Sequence, residues 1–275
     1  MRFSLLSVLI CVLATWGCGG RHNSGELTMK DATVEADLRA IAGKRILFGH
    51  QSVGGNILEG LKELQKANPG GSLKVIDLEK STPPPGPFLG ELRIGKNGDP
   101  ASKCDAFRET VKGMAGDSLD VVVMKFCYVD FKAGTDAAAV LGTYAAAVDS
   151  VRAGSPRVFV LHATAPLVVR TAGWKKLIKG LLGKEESSDA ANAKRSEFNE
   201  LLKARYRGEP IFDLAAVEST YPDGSREEFT ADGKPAYALI PGYTEDGSHL
   251  NGAGSARAAR AFVRSLAAIA EKGGR

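Results

Sequence analysis

Leu119-Asp120-Val121-Val122-Val123-Met124-Lys125-Phe126 decides how the chain folds. A short, nearly unbroken Val-rich run suits a strand covered on both faces, as at the centre of a parallel sheet. Working outward, helical and strand-like segments alternate on both sides. Upstream, Val34, Leu38 and Ile41 recur at helical spacing over 32–42, and Gly43 stops the run. Strand-like residues 44–48 end in Gly49; an amphipathic helix is expected over 56–67 and a second strand over 73–78. Residues 80–100 read as a long irregular loop, with Pro83-Pro84-Pro85-Gly86-Pro87 at one end and Gly95 to Pro100 at the other. Asp99 is an expected N-cap, with Pro100 in the first turn of a helix reaching Met114. Downstream come helix 136–152, strand 157–162, helical pieces 174–182 and 190–206, strand 210–214, an irregular region to Ser248, and helix 252–270. Right-handed crossovers between such elements predict an α/β three-layer αβα sandwich around a central five-stranded parallel sheet.

The remaining bounds come from composition. The chain has 275 residues and a formal charge of +4 that is spread rather than clustered, with no basic block carrying interleaved aromatics. That argues against nucleic acid as a partner. Residues 1–18 carry Arg2, an apolar run from Phe3 to Ala14, and then Thr15-Trp16-Gly17-Cys18. The run is shorter than the ~20 residues of a spanning helix and ends in small residues, as an export signal does. Cys18 stands where a bacterial lipoprotein signal carries its lipidated cysteine, which would make a membrane a partner through a lipid anchor in the cell envelope. Plain secretion or a periplasmic location is the alternative. Residues 19–30 read as a flexible tether, and 31–272 as one domain. Cys104 and Cys127 could pair in an oxidising compartment, but two cysteines make no disulfide framework, and burial as small apolar residues is preferred.

In sheets of this type ligands sit beyond the carboxyl ends of the strands. Ser52, Gly98, Cys127-Tyr128, Thr164 and the Asp246–His249 turn all follow predicted strands, so the topology gathers them on one rim. A serine hydroxyl becomes a nucleophile only when a base takes its proton, and the base needs an orienting carboxylate. Ser52, His249 and Asp246 can fill these roles. An oxyanion could be met by the Ser52 N–H at a helix N-terminus, by Gly98, or by the Asn97 amide. Each residue also has a plain reading: Ser52 as a helix cap, Asp246-Gly247 as a turn, and Gly98 as a backbone hinge.

These stretches together resemble the SGNH (GDSL-type) hydrolases across most of residues 44–270. Gly49 to Ser52 and Gly54 are similar to the first block of that family, the Gly98 loop to the second, and Asp246-Gly247-Ser248-His249-Leu250-Asn251 to the closing Asp-x-x-His block. The resemblance implies a flavodoxin-like SGNH fold, a Ser52–His249–Asp246 triad, and an oxyanion hole including Ser52 and Gly98. It also implies an exported serine esterase acting on acylated carbohydrate or another small ester, without cofactor. Two departures stand out. Gly-Asp-Ser is replaced by Gly49-His50-Gln51-Ser52, and the third-block Asn, a side-chain oxyanion donor, is missing from Lys125-Phe126-Cys127-Tyr128-Val129-Asp130. Tyr128, Asn97 or a backbone N–H would have to substitute, or the protein is a catalytically impaired relative that binds in the cell envelope.

Other groups rank lower. His50 could be a second base or a strand-end hydrogen-bonding group, and Cys127 a nucleophile only in an electropositive, exposed setting. No residue spacing supports a metal or a dinucleotide. The basic amphipathic piece Trp174 to Lys184 reads as a short packed helix, a lid, or a membrane-surface element.

Overall fold

The computed structural model describes residues 31–114, 119–170 and 188–273. The export segment, the tether and the 174–184 piece lie outside the described residues. In chain order the elements are α1 (Ala32–Ile41), β1 (Arg45–His50), α2 (Val53–Ala67), β2 (Val75–Asp77), β3 (Phe88–Arg93) and α3 (Pro100–Gly113). Then come β4 (Val121–Met124), α4 (Ala137–Gly154), β5 (Phe159–Ala163), α5 (Ser188–Arg205), β6 (Ile211–Phe212) and α6 (Leu214–Ser219). A hairpin of β7 (Glu228–Ala231) and β8 (Lys234–Tyr237) precedes the last helix, α7 (Gly252–Gly273).

The main sheet has six strands in the order β2-β3-β1-β4-β5-β6. Every neighbouring pair is parallel. The Val run behaves as its composition requires, because alternate residues of β4 face different helix layers. Val121 and Val123 pack with α1, α2 and α7. Val122 and Met124 pack with α3, α4 and α5. The three-layer α/β architecture therefore stands as expected.

The strand count does not. The expected five-stranded sheet has a sixth strand, β3, inside the stretch read as a loop. Proline and glycine crowd both its flanks, and Gly90 sits within it, so propensity hid a strand whose Phe88 and Leu89 are fully buried. β3 inserts between β1 and β2, and the chain leaving it brings Asn97 and Gly98 to the rim. The β7–β8 hairpin was likewise unforeseen in the region before Ser248. Strand order reverses at β1, the point where such sheets open a crevice, and Ser52 follows β1.

The front and tail of the chain meet through α2 and α7. A Cβ at Gly60 would lie 2.2 Å from the Ser255 carbonyl oxygen, so the helices approach at a distance only glycine permits. The Leu250 N–H donates to Asn56 Oδ1 at 3.3 Å, tying the residue after His249 to the first turn of α2.

Candidate active site

Ser52 occupies the N-cap position of α2, yet its hydroxyl makes no capping bond. It lies 3.3 Å from Cys127 Sγ instead. The backbone there has φ +28° and ψ −91°, a left-handed conformation rare for a residue with a Cβ. Such a conformation costs on the order of 1–3 kcal/mol and persists only where surroundings enforce it. The plain cap reading of Ser52 is thereby excluded. Among the described hydrogen bonds none takes the Ser52 N–H.

Asp246 and His249 form the expected pair, with His249 Nδ1 2.6 Å from Asp246 Oδ2. Asp246 Oδ1 accepts the backbone N–H groups of Ser248 and His249, each at 2.8 Å, so the short turn itself aims the carboxylate. The His249 N–H, then the His249 ring, then the Ser248 N–H hold the Asp246 carboxyl well below the usual carboxylate range. A bond at Nδ1 leaves Nε2 as the atom able to exchange a proton, the arrangement a base requires.

Ser52 and His249 are not hydrogen-bonded to each other. The dipeptide Cys127-Tyr128 spans the interval: Cys127 meets Ser52, while the Tyr128 ring stands edge-on to the His249 ring with centroids 5.6 Å apart. Arg195 holds this dipeptide by donating to the Tyr128 carbonyl from Nε at 3.0 Å and Nη2 at 2.7 Å. Ser52 and His249 also line different cavities. A cavity of about 480 Å³ holds Ser52 with His50, Leu58, Lys62, Glu91 and Arg93. One of about 770 Å³ holds Asp246 and His249 with Glu63, Glu245 and Asn251. Glu59 lines both, so the two open on either side of one residue.

The expected oxyanion donors fare unevenly. The Gly98 N–H donates to Asp130 Oδ1 at 2.8 Å, so it would have to leave that carboxylate to meet an oxyanion. Asn97 Oδ1 accepts from Lys103 Nζ at 3.1 Å. Gly98 has φ +81°, which gives its glycine a conformational reason. Asp130 is the residue that sequence reasoning misses, since there it is only the end of a stretch lacking Asn. It accepts the Gly98 N–H, the Cys127 N–H at 2.7 Å and Lys103 Nζ at 2.5 Å, with both charged side chains fully buried. No local pattern marks such a hub, because Lys103 lies on α3 and meets Asp130 only through the fold.

Cys104 and Cys127 are both free and buried. Burial pushes the Cys104 thiol up to about 12. Lys125, directly before Phe126 and Cys127, is completely buried with Nζ 2.9 Å from the Phe126 carbonyl, and desolvation pushes its ammonium down to about 8.

No family model matches the chain, and no curated protein does. Solved structures match along most of its length at low identity. A protein described as a lipolytic member of the G-D-S-L family from Desulfitobacterium hafniense DCB-2 is 10% identical, over 81% of this chain and 99% of that one, with a TM-score of 0.46. A carbohydrate esterase family 3 protein from Talaromyces cellulolyticus is 15% identical, over 83% and 97%, with a TM-score of 0.43. The periplasmic domain of a lipopolysaccharide acetyltransferase from Salmonella ser. Paratyphi A is 14% identical, over 83% and 86%, with a TM-score of 0.45. At these values what the chain does must be read from its own geometry.

Proposed function

We propose that the chain is an SGNH-type serine acyl hydrolase, with Ser52 as nucleophile, His249 as base and Asp246 as the carboxylate that orients it. The observation carrying this reading is the Ser52 turn: a serine at a helix entrance, in an enforced left-handed conformation, whose hydroxyl declines the cap. A residue kept in a costly conformation at the reversal point of a parallel sheet is where catalytic groups recur. The Asp246–His249 pair supplies a base with its second nitrogen free.

In the reaction, Ser52 Oγ attacks the ester carbonyl and His249 Nε2 takes its proton. The tetrahedral adduct collapses, and the C–O bond to the alcohol breaks as that oxygen receives the proton. Water then attacks the acyl-enzyme, His249 taking and returning a proton, to release the acid and restore Ser52. Catalytic hydrogen bonds are often incomplete before substrate binds, so rotation of Ser52 Oγ from Cys127 toward His249 belongs to the first step. The Ser52 N–H is the oxyanion donor that remains open, with the Tyr128 hydroxyl and the Asn97 amide as side-chain candidates in place of the absent Asn. Losing one such donor typically costs ~3–4 kcal/mol of transition-state stabilisation, which makes the substitute a measurable quantity.

For substrate we favour an ester of a hydroxyl-rich alcohol, such as an acylated carbohydrate. The cavity at Ser52 is lined by three cations (Lys62, Lys80, Arg93) and three carboxylates (Glu59, Asp77, Glu91) together with the apolar Leu58. A lining of mixed donors and acceptors suits a polyol better than a fatty chain, and the volume is of the size small-ligand sites have. Lipidation at Cys18 and action in the cell envelope complete the proposal; mass spectrometry of the protein from a bacterial host checks the lipid.

The purified protein and its Ser52→Ala variant are to be given p-nitrophenyl acetate. A loss of a hundredfold or more in the variant supports the hydrolase, and equal release from both refutes it. The second reading, an impaired relative that binds rather than cleaves, is favoured by the absent Ser52–His249 bond and the occupied Gly98 N–H. It predicts equal background release with retained binding of acetylated sugars.

A further inference from the structure

A second histidine–carboxylate pair stands beside Ser52. His50 ends β1, is 4% exposed, and places Nε2 2.9 Å from Glu91 Oε2 on β3. Its ring rests on Phe48 with centroids 4.7 Å apart. It also presses on Gly54: a Cβ there would fall 2.3 Å from the His50 Cγ and 2.4 Å from Nδ1, so only glycine lets the first turn of α2 lie against the imidazole. Nδ1 is buried with no hydrogen-bond partner. Between these residues, the Gln51 amide donates to the carbonyls of Ile94 and Gly95, each at 3.1 Å.

We propose that His50, held by Glu91, is a positioning residue that clamps the first turn of α2 and keeps Ser52 in its left-handed conformation. The proposal rests on Ser52 being the nucleophile. A non-glycine residue at φ +28° relaxes unless its neighbours forbid it. Here the imidazole blocks Gly54 from one side while Gln51 is tied to the chain leaving β3. Glu91 fixes the ring plane, so β3, the strand that inserts beside β1, sets the nucleophile's attitude. The ring does not act as the base itself, because Nε2 is engaged by Glu91, Nδ1 is sealed beneath the helix turn, and neither bonds Ser52.

The test uses the full chain as His50→Leu, His50→Gln and His249→Ala. It measures kcat and KM on p-nitrophenyl acetate across pH, melting temperature, and hydrogen exchange of the Ser52–Gly55 amides. The expected result is a kcat lowered at least tenfold in His50→Leu with KM within twofold, and faster exchange confined to that turn. His50→Gln, which can still donate to Glu91, recovers most of the kcat, and the shape of the pH profile survives in both. A kcat unchanged in His50→Leu overturns the proposal, whatever the melting temperature does. So does a His50→Gln variant as inactive as His249→Ala with the acid limb of the profile gone, which would make His50 the base. If Ser52→Ala hydrolyses as fast as the parent, the hydrolase reading has failed separately. Exchange at Ser52–Gly55 then still decides: faster in His50→Leu upholds the clamp, and unchanged removes it.

Discussion

Asp130 and Asp246 are two carboxylates on one rim, and each gathers backbone N–H groups around itself. Asp130 is fully buried and answers a buried lysine; Asp246 is more than half exposed and answers a histidine three residues away. The first ties the turn it shares with Cys127 to the distant segment that carries Gly98 and Lys103, through the N–H groups of Gly98 and Cys127 and the Lys103 ammonium. The second closes a turn on itself. The lesson is that a long-range buried carboxylate fixes where the loops sit, whereas a local exposed one fixes only how its neighbour points. That difference also explains why the Gly98 N–H, so plausible as a catalytic donor, is engaged in holding the rim together.

Removing the buried partner has the largest expected effect. Asp130→Ala strands the Lys103 charge in the interior, and breaking a buried pair costs about 3–5 kcal/mol. At roughly 2–4 °C per kcal/mol for a domain of this size, calorimetry should show a fall on the order of 10 °C or more. Replacing both residues by apolar ones of similar volume, as in Lys103→Met with Asp130→Leu, should recover part of the loss in melting temperature. If Asp130→Ala melts with the parent, the two carboxylates do not differ as stated.

Asp246→Ala reverses the pattern. Its stability should stay within about 1 kcal/mol of the parent, as expected for an exposed pair. Its kcat on p-nitrophenyl acetate should drop on the order of a hundredfold or more, because His249 loses both its orientation and its counter-charge. With the Asp246 carboxyl held far below its ordinary range, it stays ionised throughout the assay window. The acid limb of the parent's rate profile therefore does not come from Asp246, and Asp246→Asn should lower the plateau of that profile more than it shifts the limb.

A third polar cluster, away from the rim, tests whether burial alone governs such groups. His162 is buried, with Nδ1 2.8 Å from the Tyr144 hydroxyl and its ring stacked on Tyr206. Desolvation pushes it down to about 4 from an ordinary 6.5, against the opposing pull of Glu209. Below pH 6.5 the unfolded chain binds the proton while the folded one refuses it, so stability falls as pH drops from 6.5 toward 4. The full effect is at most about 3.5 kcal/mol, because each tenfold change in proton affinity between the two states is worth about 1.4 kcal/mol. Melting curves between pH 7 and 4 should show the decline, and His162→Gln should flatten it.

The smallest effect expected is at Tyr128. If its hydroxyl replaces the missing Asn, Tyr128→Phe lowers kcat by tenfold or more with little change in melting temperature. A change under twofold leaves the oxyanion to the Ser52 N–H and the Asn97 amide.

Much of the layer structure was legible because hydrophobic periodicity is local: the Val run of β4, the spacing of Val34, Leu38 and Ile41, and Asp99-Pro100 at a helix start all read correctly. β3 did not, since its identity as a strand comes from pairing with β1 and β2 rather than from Phe-Leu-Gly-Glu-Leu-Arg itself. The Asp246–His249 bond was readable for the same reason β4 was, lying within one turn of chain. The Asp130–Lys103 hub and the His50–Glu91 pair were not, since each partner reaches the other across the sheet. By itself, then, the sequence determined the alternation of elements and the local histidine–carboxylate turn, where neighbours in the chain are neighbours in space. Only the tertiary structure decided which N–H groups remain open at the rim, how Ser52 is held, and that its hydroxyl meets Cys127 before it can meet His249, because those outcomes depend on contacts no short stretch of chain contains.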